Sequence, residues 1–141
     1  MSAAIITRKA AAGRGCAAVL FGLYTVMVAR LTLAPASSES AIFGLLDLIM
    51  AQLSGGRLQW SQTEVLANVA LFVPAGFLLA IVLGRSWASV VLCIVFAAGI
   101  ELAQQRYLPS RVPSVADVEH NALGAIIGAA VAWPINRVLT R

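Results

Sequence analysis

Four stretches of nearly uninterrupted apolar sequence, residues 16–35, 64–84, 87–105 and 117–137, decide what this chain can become. Each has about the 20 residues that an α-helix, rising ~1.5 Å per residue, needs to cross the ~30 Å hydrocarbon core of a bilayer. Only 11% of the residues are charged, while 60% are hydrophobic. A water-soluble domain of this size carries roughly a quarter charged residues. Without that coat the solvent is lipid, where each segment must close its own backbone hydrogen bonds. The expectation is an all-α, polytopic membrane protein with four transmembrane helices.

Residues 1–15 carry Arg8, Lys9 and Arg14 and no acid, and read as a cytoplasmic basic flank. The transmembrane domain is expected over 16–138. Its first span ends at Pro35, with Arg30 near its far end and able to snorkel outward. A cleaved signal peptide is the rival reading, since Ala34-Pro35-Ala36 resembles a cleavage site. The apolar run is longer than the usual ~7–15 residues and contains Arg30, which favours a span.

In the connection 36–63, the polar SSES is followed by Ile42, Leu45, Leu46, Ile49, Met50 and Leu53 at helical spacing. Asp47 and Gln52 interrupt the run and Gly55-Gly56 stops it. About 14 residues are too few to span. They predict a short interfacial amphipathic helix between the first two spans, the alternative being a loop helix packed on the bundle. Pro74 removes one backbone bond from the second span and is expected to bend it. Arg85 and Ser86 make a tight turn into the third span, and Pro134 lies near the end of the fourth.

Orientation follows from charge. With the N-terminus inside, the inner side holds Arg8, Lys9, Arg14, Arg85, Arg137 and Arg141. The outer side holds Arg57, Arg106 and Arg111, with Arg30 near its boundary. This excess satisfies the positive-inside rule and places both termini in the cytoplasm. Every acid, Glu39, Asp47, Glu64, Glu101, Asp117 and Glu119, then falls at the outer end. Trp60 and Tyr107 mark the outer interface, and Trp87 and Trp133 the inner one. The net charge of +4 reads as topology and contact with anionic lipid. The basic residues are scattered singly, so nucleic acid is not an expected partner. Cys16 and Cys93 lack a CxxC spacing or a nearby His and read as lipid-facing or core residues.

The polar residues concentrate in Gly99–Gly128, which holds three of the six acids and the only histidine. Asp117, Asn121, Gly124 and Gly128 fall on one helix face, as do Glu64 and Asn68, and Glu101 and Gln105 flanked by Gln104. Three spans thus each offer a carboxylate and an amide near one membrane boundary. Facing them into lipid is costly, about 2.5 kcal/mol or more for an acid at a helix centre, so they should face one another or a wet cleft. Arg106 and Arg111 are placed to pair with them or with phosphate. Glycines four apart at Gly124 and Gly128 let another helix approach closely. The segments Glu64–Asn68 and Asp117–Asn121 both read acid-Val-x-x-Asn, the pattern of a parallel repeat of two hairpins. For Asn68 and Asn121 alone, structural glue explains the polarity equally well. The set Glu101, Arg111 and Asp117 carries more charge than glue requires.

These residues resemble the VanZ-like family of small bacterial membrane proteins. The likeness is carried by Glu64, Asn68, Phe72, Pro74 and Gly76 and by Glu101 and Gln104. It continues through Arg111, Asp117, Asn121, Gly124 and Gly128, with Leu31-Thr32-Leu33-x-Pro35 closing the first span. Ala70 departs from the larger aliphatic that is common there. The resemblance implies a multi-pass protein of the bacterial inner (cytoplasmic) membrane, with a link to teicoplanin-type glycopeptide resistance; it brings no established reaction.

Two classes of function compete. In the first, the outer face binds or modifies the head group of an envelope lipid or lipid-linked precursor. Glu64, Asn68, Gln104, Arg106, Arg111 and Asn121 would bind the ligand. If a reaction occurs, Glu101 or Asp117 would be the general acid or base, with His120 beside Asp117 as a proton carrier. Pro74, Gly76, Gly124 and Gly128 would set helix packing. In the alternative the chain is a non-catalytic structural or assembly subunit, with an oligomer or a membrane protein as partner. No Ser-His-Asp set, P-loop or metal-spaced His pair is present, and no cofactor or metal is expected.

Overall fold

In the computed structural model, residues 3–33, 44–45, 48–108 and 114–139 are described. Four long helices follow one another: α1 (Ala3–Thr32), α3 (Trp60–Leu83), α4 (Ser86–Tyr107) and α5 (Val115–Leu139). Between the first two lies a short helix, α2, over 44–45 and 48–54. Among the described residues there is no strand. All four long helices have the length and apolar composition of membrane spans, over Ala10–Thr32, Ser61–Leu83, Ser86–Tyr107 and Val115–Leu139. The chain is an all-α polytopic membrane protein.

Local sequence explains the helix ends. At the start of α3 a reciprocal cap joins Gln59 and Gln62, the Gln59 N–H donating to Gln62 Oε1 at 2.9 Å. Gly84 ends the same helix at φ 65°, a left-handed turn that a side chain resists. Arg85 follows in extended conformation and α4 restarts at Ser86. α3 runs unbroken through Pro74. At the N-terminus, the helix includes the basic flank and the apolar span begins at Ala10 instead of residue 16. The alanine-rich stretch Ala10–Ala12 favours helix strongly enough to bridge Gly13 and Gly15, which cost about 1 kcal/mol each.

Lipid is as apolar as leucine, so span packing depends on small residues and on polar bonds between helices. α3 is the hub and makes contact with α1, α4 and, most extensively, α5. The buried face of α5 is Asn121, Gly124, Ala125, Gly128, Ala129, Ala132 and Asn136. Gly124 lies against Val69 and Phe72, and Gly128 against Val73 and Phe77. Since both registers advance together, α3 and α5 run parallel, as the acid-Val-x-x-Asn repeat implies. Gly76 of α3 is pressed on the Ala125 backbone in return, with Ala125 Cα only 2.7 Å from where its Cβ would be.

Side-chain donors on neighbouring helices then find backbone carbonyls. Ser89 Oγ donates to Gly76 O at 2.8 Å, Ser86 Oγ to Ala129 O at 3.1 Å, and Asn136 Nδ2 to Ala80 O at 2.8 Å. α1 is attached more lightly. Tyr24 Oη donates to Leu71 O at 2.6 Å and Gln104 Nε2 to Thr32 O at 2.8 Å. Replacing buried Gln104 with leucine should loosen α1 and lower stability in detergent by about 1 kcal/mol, the scale of membrane interhelical hydrogen bonds. Thermal unfolding checks this; an unchanged midpoint would mean that α1 is held by apolar packing alone.

The outer surface of the bundle suits lipid. Leu23 and Val26 of α1, Leu66 of α3, Leu92 and Val95 of α4, and Leu123 and Val131 of α5 are exposed. On α2, Leu45, Leu48, Ile49 and Leu53 are exposed, which suits a helix at the bilayer boundary better than one packed on the bundle. Ile42, Leu46 and Asp47 lie outside the described residues, as do Glu39, Pro35 and the side chain of Trp60.

Candidate functional site

Glu64 is in the second turn of α3, Glu101 is near the end of α4, and Asp117 and Glu119 are in the first turns of α5. One end of the bundle is therefore acidic. The opposite end carries Arg85 and Arg137, whose guanidinium lies 3.8 Å from the centre of the Trp133 ring.

At the acidic end three helices meet through polar side chains. Asn68 Nδ2 donates to Asp117 Oδ1 at 2.8 Å and joins α3 to α5. Glu101 Oε2 accepts the Ser114 N–H at 3.1 Å, tying α4 to the residue before α5. The Glu101 and Asp117 carboxylates are close enough to act on each other electrostatically. Both lie at the N-terminus of α5, where unpaired N–H groups and the helix dipole favour negative charge. This gives Glu101 a structural task, fixing the entry of α5, and leaves its second carboxylate oxygen unpaired among the described residues.

Asn121 is on the same face as Asp117, one turn deeper in the bundle. It is 6% exposed, and its Oδ1 has no hydrogen-bond partner. His120 Nδ1 is likewise buried without a partner. An unpaired buried acceptor costs about 1–3 kcal/mol in a folded protein, so Asn121 Oδ1 calls for a donor from a water or a ligand. The cluster therefore offers acceptors: the second oxygens of Glu101 and Asp117, unpaired among the described residues, and Asn121 Oδ1. Of its amide donors, Asn68 Nδ2 is engaged by Asp117, while Asn121 Nδ2 makes no hydrogen bond to the described residues.

The remaining candidates separate from this cluster. Glu64 is exposed with no polar partner among the described residues. Arg106 is exposed and makes no ion pair among them. Gln104 is buried and spends its amide on Thr32 of α1, so it faces away from α5. Arg111 lies outside the described residues, with Pro109, Ser110 and Pro113. Gly76, Gly124 and Gly128 form the close α3–α5 contact on which the Asn68–Asp117 bond rests. Pro74, partly buried, sits within α3 one turn from Gly76's neighbours.

Sequence reasoning missed the polar residues that bind backbone carbonyls, Tyr24, Ser86, Ser89 and Asn136. Asn136 had a signal, because it continues the i+4 series Gly128, Ala132. The described residues include no group of His, Cys, Asp and Glu able to hold a metal ion.

A bundle of four apolar helices with a polar knot at one end defines a small polytopic membrane protein. Residues 19–138 match the family described as VanZ/LLP1, and the chain belongs to that family. No curated protein and no solved structure matches it.

Proposed function

We propose that the acidic end of the bundle binds the polar head group of an envelope lipid or lipid-linked precursor. The observation that supports this is the unpartnered buried acceptor Asn121 Oδ1, one turn below the Asp117 carboxylate that Asn68 holds, with Glu101 at the same end of the bundle. The two carboxylates and Asn121 Oδ1 suit a ligand that brings donors, such as hydroxyls or an ammonium group. Arg106 at the rim is free to meet the phosphate of such a molecule. Should a reaction occur, Glu101 or Asp117 is the general acid or base, with His120 within a turn of Asp117 as proton carrier. A role in teicoplanin-type resistance rests on the family resemblance and follows only if the head group belongs to a cell-wall precursor.

The lipid profile of bacterial cells with the protein, without it, and with Glu101→Gln/Asn121→Ala tests this reading. The expected result is a shift of at least twofold in one head-group class, present with the native chain and absent with the variant. An identical profile in all three, together with loss of a partner complex when the protein is deleted, would favour the assembly-subunit alternative.

The basic flank and the one-sided acids further support the acidic end lying outside the cytoplasmic membrane, with both termini in the cytoplasm. A cysteine replacing Ser110, in a background with Cys16 and Cys93 changed to serine, should react with an impermeant thiol reagent applied outside. Labelling only from the cytoplasmic side would reverse the topology.

A further inference from the structure

The end of the bundle opposite the acidic cluster has no carboxylate side chain of its own. No Asp or Glu occurs in residues 1–38, 65–100 or 120–141, the stretches that supply that end. Three elements bring arginine to it: Arg14 on α1, Arg85 in the turn between α3 and α4, and Arg137 in the last turn of α5. The packing registers set all three at one depth. α1 runs antiparallel to α3, since Tyr24 Oη bonds Leu71 O and Ala17, two turns earlier, packs in one cluster with Ala80 and Ile81. Arg14, nearly one turn further, is therefore level with the Gly84 end of α3. In α5, Gly124 lies against Val69 and Phe72, and Gly128 against Val73 and Phe77. The same register carried onward sets Arg137 level with Gly84 and Arg85 as well.

Arg14 is the member that a solvated basic flank does not explain. It continues the line Ala17, Phe21, Tyr24 and Val28 that α1 turns toward the bundle, and it is partly buried while Ala12, Gly13, Gly15 and Cys16 around it are exposed. Its Nε is buried with no hydrogen-bond partner, and Arg14 makes no ion pair among the described residues. An unmatched buried donor is costly, and more so on a charged group. Arg85 and Arg137 are exposed. The Arg137 guanidinium lies over the Trp133 ring, a contact made by its face that leaves its in-plane N–H groups for an acceptor. Three like charges at one depth repel one another, and no acidic side chain at that end offsets them. The compensating group is an anion from outside. Guanidinium forks match the oxygens of a phosphate. At this depth the phosphates are those of lipid head groups, which long arginine stems can reach.

We infer that Arg14, Arg85 and Arg137 form a site for the phosphate of an anionic phospholipid at the basic end of the bundle, which the topology proposed above sets in the cytoplasmic leaflet. The site shares no residue with the acidic end and does not depend on the function proposed for it.

The test is native mass spectrometry of the full-length protein in detergent, with phosphatidylglycerol or phosphatidylcholine of the same acyl chains added. Both lipids carry a phosphate, but only phosphatidylglycerol has a net negative charge. The native chain should retain phosphatidylglycerol over phosphatidylcholine by at least ~fivefold, the effect of a single arginine at an anionic surface. Arg14→Gln/Arg85→Gln/Arg137→Gln should lose that preference. Arg30→Gln, which removes one positive charge from the other end of α1, should keep it. Should the triple variant fail to fold, as judged by thermal unfolding, Arg85→Gln/Arg137→Gln changes exposed positions only and serves in its place, with the preference lowered by about threefold or more. Equal retention of the two lipids by the native chain would overturn the inference. So would a preference that survives the arginine changes or falls as far with Arg30→Gln. Displacement of phosphatidylglycerol by millimolar inorganic phosphate would also overturn it, because the ligand would then be a soluble phosphate. Glu101→Gln/Asn121→Ala should leave the preference intact, so a failure at this end and a failure at the acidic end are read separately.

Discussion

Leucine at position 124 is expected to abolish function and to destabilise the bundle more than any other single change considered. A Cβ on Gly124 would land on the Val69 carbonyl oxygen and stand 3.0 Å from Phe72 Cβ, so even the first added carbon has no room. Overpacking usually costs ~1–3 kcal/mol, and a side chain driven into backbone belongs at or beyond the upper end. α5 would have to move away from α3, carrying Asn121, three residues before Gly124, and Asp117 with it. Gly124→Leu should therefore lose function although Gly124 itself offers no group to a ligand. Ala130 is exposed on the other side of α5, and Ala130→Leu should be nearly silent. Thermal unfolding in detergent and functional complementation read both changes. Equal tolerance at the two positions would refute the α3–α5 packing described above.

The second large effect is expected at Asn68. Asn68→Asp replaces the amide that donates to Asp117 with a second carboxylate at hydrogen-bond distance, where the Asn68 Nδ2–Asp117 Oδ1 separation is now 2.8 Å. Two carboxylates so close cannot both stay ionised. One must take up a proton, or α3 and α5 must part. Losing a half-buried hydrogen bond to a charged group in this way costs about 1.5–3 kcal/mol. The exchange Asn68→Asp/Asp117→Asn restores one amide donor and one carboxylate acceptor with the same total charge, and should recover most of the stability. Activity separates two roles for Asp117. If the double exchange recovers both fold and lipid shift, the pair is a helix tie. If it recovers the fold alone, the charge at position 117 is used on the ligand.

Much of this architecture could be read from the sequence because the signals are periodic. Four apolar runs near 20 residues announce four spans, and spacing by four puts Asp117, Asn121, Gly124 and Gly128 on one face. The acid-Val-x-x-Asn repeat even indicates that α3 and α5 enter the membrane in the same direction. What escaped was the set of bonds whose acceptors are backbone carbonyls. Every residue has such a carbonyl, so nothing in the sequence says that Gln104 reaches Thr32 or that Ser89 reaches Gly76. Gln104 and Gln105 are neighbours in sequence, yet one is buried against α1 and the other exposed. A 100° step between adjacent helical residues separates them, and only the position of α1 decides which turns inward. The start of α1 was also hidden, because charged residues beyond the membrane can continue a helix as readily as end it.

The central claim is that the acidic end of α3, α4 and α5 holds a lipid head group rich in hydrogen-bond donors. It is tested most directly by mass spectrometry of the lipids that co-purify with the protein from its membrane. The native chain should retain one head-group class, bearing hydroxyls or an amine, at least fivefold enriched over the bulk membrane, and Glu101→Gln/Asn121→Ala should lose that enrichment while remaining folded. Retained lipids that mirror the bulk membrane in both proteins would contradict it.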